Sequence, residues 1–280
     1  MSIPIGFVLK EQVALHYDRQ VNESNLNLRL AELDGFGHHH SGIILPNSAL
    51  PDVTTEEQDL KILHDMENAL TLRGLPFLGD ITPTMCGLDA GCGLGGSSLM
   101  IALLRHCSMA GVSLSSSQVD LANQLSKRMG LENRVGFIRS DMTNTQFPSG
   151  TFDFIWACES TEHVPLDSLK KMFDEFARVS VIGASLVIIT ACGVPKGAEQ
   201  QELIEKLNQW YTIFLKTPEE YELKSQDNWQ LCNTLDLAPE TIPFWQFRAK
   251  SKLKTGVEDK VIKGYGNGAF EYRLFSFRKK

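Results

Sequence analysis

Asp89 stands two residues before the first glycine of Gly91-Cys92-Gly93-Leu94-Gly95-Gly96. Glycines in such a run let backbone amides approach a ligand and turn the chain into a helix whose positive end favours electron-rich groups. Asp89, Gly91, Gly93 and Gly95 are therefore cofactor-binding candidates. A dinucleotide fold uses the same turn for a pyrophosphate. The Asp89 carboxylate would repel a pyrophosphate, but it can accept hydrogen bonds from the ammonium of a methionine moiety. Downstream, Met109-Ala110-Gly111-Val112-Ser113-Leu114 reads as a strand without the acidic residue that a nicotinamide-binding domain places at its end for the ribose. Both details favour S-adenosylmethionine over a nicotinamide cofactor, and a bare strand-to-helix turn is the remaining reading.

Two further groups carry chemistry. The apolar strand Phe152–Ala157 delivers Cys158-Glu159-Ser160-Thr161-Glu162-His163 at its carboxyl end, where open α/β sheets place their ligands. The second is Asp34-Gly35-Phe36-Gly37-His38-His39-His40-Ser41-Gly42-Ile43. Adjacent residues point different ways, so three consecutive histidines cannot all ligate one metal from a regular strand or helix. At least one is expected to pack structurally. Asp141-Met142, at the end of the strand-like Arg134–Arg139, is placed to meet an adenine.

These groups need a scaffold, and the chain supplies one. Its 280 residues, 42% hydrophobic and 22% charged, suit one large α/β domain with additions. A net charge of -7 gives no general footprint for nucleic acid or an anionic membrane. The Met1–Leu9 stretch lacks the features of a secretory signal, and no apolar run approaches a membrane span, so a soluble cytoplasmic protein is expected. The 6 cysteines form no Cys-x-x-Cys pair and are expected as free thiols without zinc.

In order, Val8–Tyr17 reads as an amphipathic helix, and a second helix runs from Thr54-Thr55-Glu56-Glu57 to Gly74 with Leu60, Leu63, Met66 and Leu70 at helical spacing. A strand at Met85–Leu88, the glycine turn and a helix from Ser97 open the βα alternation. Ser115 to Gln118 caps a helix through Lys127 that stops at Gly130. A helix over Leu166–Val179 and a strand over Ala184–Thr190 follow. Glu199–Leu215 reads as an inserted helix carrying Trp210, Tyr211 and Phe214, then comes a short helix from Pro218 to Leu223. Phe270–Phe277 alternates as a terminal strand.

The element order and the Asp-x-Gly-x-Gly-x-Gly-Gly turn resemble class I S-adenosylmethionine-dependent methyltransferases over roughly residues 80–280. Gly111-Val112-Ser113-Leu114-Ser115-Ser116-Ser117-Gln118 resembles the second-strand motif of the branch containing cyclopropane fatty acid synthases and sterol and terpene C-methyltransferases. The resemblance implies that Gln118 contacts the cofactor ribose, with Ser113 and Leu114 beside it. Asn27-Leu28-Arg29-Leu30 with Asp34-Gly35, the His38-His39-His40-x-Gly42-Ile43 run and Glu159-Ser160-Thr161 are similar to the prenyl-diphosphate C-methyltransferase family. Ser41, where that family usually has an aromatic residue, and Glu162-His163 depart from its pattern near the expected substrate pocket.

The resemblance implies a Rossmann-like, mostly parallel seven-stranded sheet flanked by helices, with an N-terminal helical lid at residues 1–79, a core at 80–280 and a helical insertion at about 195–230. It implies methylation of an alkene carbon through a tertiary carbocation that is then deprotonated. A carboxylate stabilises the cation and can take its proton, and aromatic faces add about 0.5–2 kcal/mol each. Glu159 is the expected carboxylate, His163 a base or phosphate contact, and Tyr17 a catalytic aromatic. Tyr17, Phe36, Trp210, Tyr211, Phe214, Phe244 and Trp245 are cage candidates, of which two or three are expected to serve. His38 and His39 are assigned to substrate. His40 and Ser41 either touch the methionine end of the cofactor or join the histidines in holding a diphosphate with Mg²⁺. The sequence contains no Asp-rich metal motif, so magnesium is implied only by the resemblance and its ligands are unassigned. An isoprenoid substrate and a homo-oligomer are expected. A C-methyltransferase of a finished terpenoid, with cyclisation after methylation, and a non-catalytic cofactor-binding subunit are the alternatives.

Overall fold

The computed structural model describes residues 5–22, 26–46 and 48–280; residues 1–4 of the Met1–Leu9 stretch lie outside the described residues. Seven strands form one sheet: β1 (Cys86–Ala90), β2 (Ser108–Ser113), β3 (Val135–Arg139), β4 (Phe152–Cys158), β5 (Ser180–Gly193), β6 (Trp229–Asp236) and β7 (Phe270–Lys279). Their order is β3-β2-β1-β4-β5-β7-β6. All neighbours are parallel except β7, which runs antiparallel to β5 and β6. The chain switches direction across the sheet between β1 and β4, and a crevice opens at the carboxyl ends of strands around such a reversal. Asp89 and Glu159 arrive at that crevice, one from each strand.

The helices cover both faces. α4 (Gly96–Arg105) and α5 (Ser116–Arg128) pack on one side, α6 (Leu166–Val179) and α8 (Pro218–Ser225) on the other. α6 occupies the residues expected of it because Leu169, Met172, Phe173 and Phe176 recur at helical spacing and all are buried. α5 starts at the expected cap, Ser115 Oγ accepting from the Gln118 amide. A third apolar cluster joins α2 (Leu26–Asp34), α3 (Glu56–Gly74), α7 (Ala198–Tyr211), α9 (Ala238–Lys250) and α10 (Glu258–Gly266).

Three differences from the sequence reading have physical causes. α7 ends at Tyr211 rather than Leu215 because Thr212 takes a left-handed conformation, φ 54°. β5 begins at Ser180 and runs to Gly193, longer than its apolar centre, because β4 and β7 pair along it. β6, α9 and α10 went unforeseen: β6 is an edge strand with polar, exposed residues, and α9 carries Pro239 and Pro243.

α1 (Ile5–Asn22) leans on α5 through its polar face. Asp18 Oδ1 accepts from Ser115 Oγ at 2.5 Å and from the Ser117 amide at 3.1 Å, and Lys10 pairs with Asp141. Leu9, Val13 and Tyr17, four residues apart on one face, are thereby turned toward the crevice.

Candidate active site

Two cavities meet at the crevice. The first, with an empty volume of about 1170 Å³, lies over the glycine turn and α1. Gly91 and Cys92 amides both donate to Val112 O at 2.9 Å, which fixes the turn, and the Gly96 amide donates to Gly37 O at 2.8 Å, which docks the histidine run onto it. Asp89 Oδ2 accepts from Ser98 Oγ at 2.6 Å. Burial raises the Asp89 pKa to about 7 despite that bond, and no cation among the described residues pairs with this carboxylate. On the second strand, Ser113 Oγ donates to Gln118 Oε1 at 2.8 Å and accepts from the Ser115 amide. Leu114, Met142 and Asp141 complete the wall, with Asp141 anchored by Lys10 and by the Thr143 amide and hydroxyl.

Two histidines leave orphaned atoms at this cavity. His38 Nε2 meets Asn68 Oδ1 at 2.7 Å, and His40 Nδ1 meets Ser41 O at 2.8 Å; His38 Nδ1 and His40 Nε2 are buried without a partner. Both bonds end on oxygens that only accept, since Asn68 Nδ2 is committed to Asp34 Oδ2 at 3.0 Å. His38, kept neutral by burial, therefore turns a lone pair, not an N–H, to its orphaned side, and the neutral tautomer of His40 does the same. Buried lone pairs beside an uncompensated carboxylate suit a cationic amino-acid group, and S-adenosylmethionine fits this donor set.

The second cavity, with an empty volume of about 1340 Å³, extends toward α7, α9 and α10. Tyr17, His39, His40, Glu159 and His163 line both cavities, so these five side chains ring the passage between them. Glu159 holds a left-handed backbone, φ 44°, at the end of β4. Its Oε1 accepts from the Ser41 amide at 2.9 Å and from Tyr272 Oη at 2.6 Å. Tyr17 Oη lies 2.8 Å from His163 Nε2, and His163 Nδ1 lies 3.0 Å from Thr212 O. Burial lowers His163 to about 4 and His39 to about 3, so both rings are neutral at pH 7.

Arg248, Tyr265 and Tyr272 carried no signal in the sequence, and Glu162 stood out only as a departure from the family pattern. Glu162 is buried, its Oε1 accepting from the Ala191 amide at 2.9 Å while Oε2 has no partner. Burial raises its pKa and lowers that of Lys216, whose ammonium donates to Thr161 O and Glu162 O. Arg248 lines the cavity, ion-paired to Glu258 at 3.3 Å and lying 5.7 Å from the Trp245 ring. Tyr265 and Tyr272 add aromatic faces, with Tyr211 and Trp245 from the expected set.

Other expected residues sit elsewhere. Phe36 packs against the sheet-side core, outside the lining of either cavity, and Phe244 is buried in the helical cluster. Phe214 lines neither; only its amide approaches the site, donating to Glu162 O at 2.8 Å. Trp210 reaches the second cavity but is 46% exposed, with Lys260 over its ring. Gly95 caps α4 against the Phe137 ring instead of lining the first cavity. His38 lines only the first cavity, on the side assigned to cofactor, and Ser41 only the second, offering its amide to Glu159. All six cysteines are free, and no group of three or more His, Cys, Asp or Glu among the described residues could hold a metal ion. No described helix is long and apolar enough to cross a membrane.

Comparison with known proteins places this geometry. A family profile described as a methyltransferase domain matches residues 88–183, the span from β1 into β5. Over 278 residues the chain is 34% identical to the geranyl diphosphate 2-C-methyltransferase of Saccharopolyspora erythraea, covering 96% of this chain and 94% of that protein. It is likewise 34% identical over 256 residues to the same enzyme of Streptomyces ambofaciens, covering 90% and 87%. The crystal structure of geranyl diphosphate C-methyltransferase from Streptomyces coelicolor A3(2), bound to Mg²⁺, geranyl-S-thiolodiphosphate and S-adenosyl-L-homocysteine, superposes with a TM-score of 0.90 at 30% identity, covering 100% of this chain and 99% of that one.

Proposed function

Since this chain belongs to the geranyl diphosphate 2-C-methyltransferase family, we propose that it transfers the methyl group of S-adenosylmethionine to an alkene carbon of a prenyl diphosphate, geranyl diphosphate being the first substrate to test. The single observation that carries this reading to the site is the passage between the cavities, ringed by Tyr17, His39, His40, Glu159 and His163. A methyl group must cross from cofactor to substrate there, and the positive charge it leaves forms beside Glu159.

S-adenosylmethionine supplies a methyl group on positively charged sulfur. Asp89, with the lone pairs of His38 and His40, receives its methionine end; Gln118 and Ser113 face the ribose; Asp141 and Met142 flank the adenine. On the substrate side the alkene π-bond attacks the methyl carbon, leaving a tertiary cation. Glu159 is the fixed counter-charge, oriented before the reaction by two donors and so needing little reorganisation as charge develops. Tyr17, Tyr211, Trp245, Tyr265 and Tyr272 offer ring faces and exclude water. Arg248 is the cation nearest in kind to a diphosphate contact. The described residues do not form a protein cage for magnesium, so no step is assigned to it; a magnesium ion arriving with the diphosphate would take its ligands largely from phosphate oxygens and water.

In this reading the described part of residues 1–79 forms a lid over the cofactor, which supports the Tyr17 side of the passage, and the protein works in the cytoplasm as a homo-oligomer, a state that light scattering after size exclusion measures. The test of function is methyl transfer from labelled cofactor to isopentenyl, geranyl and farnesyl diphosphates, with and without Mg²⁺, read by product mass. A gain of one methyl on one of them is expected. Tight cofactor binding with transfer to none would move the substrate to a finished prenylated metabolite.

A further inference from the structure

Removing a proton from the methylated cation requires an acceptor at the passage, and Glu159 Oε1 already accepts from the Ser41 amide and the Tyr272 hydroxyl, which leaves Oε2 as that carboxylate's remaining acceptor. A second polar device stands opposite. His163 Nδ1 lies 3.0 Å from Thr212 O, and a carbonyl only accepts, so Nδ1 carries the hydrogen. In the neutral ring Nε2 is then a lone pair, and the Tyr17 hydroxyl 2.8 Å away must donate to it. The remaining lone pairs of the Tyr17 oxygen are left to the passage that both residues line. The tautomer is set by backbone: Thr212 caps α7 in a left-handed conformation, and the carbonyl end of a 14-residue helix favours an imidazolium bonded to it.

We propose that Tyr17 and His163 form a relay that removes the proton from the methylated cation. The C–H bond beside the cationic carbon breaks and its electron pair becomes the new C=C bond. Tyr17 Oη takes that proton while giving its own to His163 Nε2, and the imidazolium, held by Thr212 O, releases its proton to solvent after the product leaves. Burial keeps His163 unprotonated at neutral pH, so the acceptor is empty when the cation forms. A carbocation is acidic enough to protonate such a weak base. The inference rests on the C-methyltransferase reading, and it accounts for a histidine where the family pattern differs.

The test compares Tyr17→Phe and His163→Gln with wild type, using geranyl diphosphate and S-adenosylmethionine, and reads products by chromatography and mass. Glutamine can donate to Thr212 O and accept from Tyr17 but cannot take a proton, so it separates relay from hydrogen bonding. Both variants are expected to bind S-adenosylhomocysteine like wild type and still transfer methyl. Their turnover falls about tenfold or more, and the single methylated alkene gives way to isomeric alkenes and a methylated alcohol from water capture. The same single alkene at wild-type rate from His163→Gln would overturn the relay. So would loss of all methyl transfer with S-adenosylhomocysteine still bound, which would place the pair before cation formation. If Tyr17→Phe does not fold, His163→Gln decides alone, and if neither folds the pair is structural and the proposal falls. A wild-type protein that methylates no prenyl diphosphate would remove the functional reading, and this inference with it.

Discussion

Tyr272 and Glu159, separated by 113 positions, meet at 2.6 Å, the phenol of β7 donating to the carboxylate at the end of β4. The antiparallel pairing of β5 with β7 sets Tyr272 opposite Ala191, within reach of the neighbouring strand's end. Burial pushes the Tyr272 phenol well above its usual range, so it stays protonated and remains a donor.

Tyr272→Phe removes one of two donors on Glu159 Oε1 and keeps the ring face. Hydrogen bonds to charged groups contribute about 1.5–3 kcal/mol, so turnover is expected to fall about 10- to 100-fold with S-adenosylhomocysteine affinity unchanged. Glu159→Gln, which removes the charge itself, should cost about 10²–10³ in turnover. Steady-state kinetics beside calorimetric titration checks both. Equal losses of turnover and cofactor affinity in Tyr272→Phe would mean the strand had shifted instead.

Asp89 ties cofactor binding to pH. With its pKa near 7 in the empty site, it must ionise before it can receive an ammonium. Affinity for S-adenosylhomocysteine should be highest near pH 8, where the ligand still carries its ammonium, and weaken about tenfold per unit below 7. The Cys92 thiol is pushed up and the His38 ring down, so neither titrates in that window. In Asp89→Asn the slope should vanish and binding should weaken about 10- to 100-fold; a slope that survives the substitution would assign it to another group.

The alternation of βα units was legible because each carried its own local signal. In α6 the buried Leu169, Met172, Phe173 and Phe176 write out the helical period, and Ser115 announces the start of α5. The glycine turn, Glu159 and the histidine run were visible as motifs for the same reason. Tyr272, Lys216 and Arg248 were not, and Glu162 showed only as a departure from the family pattern. Lys216 reads as a surface lysine until the fold buries it against Thr161 O, and Tyr272 reads as one more alternating strand residue. Phe36 and Phe214 were misplaced because an aromatic near a motif has the same appearance whether it faces a cavity or the core.

Gly91 and Gly93 have different reasons to be glycine. A Cβ on Gly91 would stand 2.3 Å from Ser160 Cβ, and the residue holds φ +83°. Ser160 cannot yield easily, since its hydroxyl donates to Ala90 O at 2.6 Å. Gly91→Ala should destabilise the fold by about 2–5 kcal/mol. A Cβ on Gly93 meets nothing closer than His39 Cβ at 3.5 Å, so Gly93→Ala carries only the backbone strain of φ +53°, about 1–2 kcal/mol. Its methyl group lies at the cofactor cavity, and affinity should fall more than stability. Thermal melts and S-adenosylhomocysteine titrations on both variants check the contrast; equal stability losses would refute it.

The histidine run is braced from behind by a titrating pair. His64 Nε2 meets Asp34 Oδ1 at 2.7 Å, and Asp34 also fixes the Asn68 amide that holds His38. Burial alone would lower the His64 pKa, but the Asp34 and Glu67 carboxylates outweigh it and raise it to about 9. A histidine raised in the folded state contributes stability that is complete below its unfolded pKa near 6.5 and is lost as pH climbs through 9. Asp34 is partly exposed, so solvent screening reduces the contribution to about 1–2 kcal/mol. For a chain of this size that corresponds to a fall in Tm of roughly 2–8 °C between pH 6.5 and 9.5. His64→Gln should melt lower at pH 6.5 and lose most of that slope. A His64→Gln protein with the wild-type slope would place the titration elsewhere and leave the brace a plain hydrogen bond.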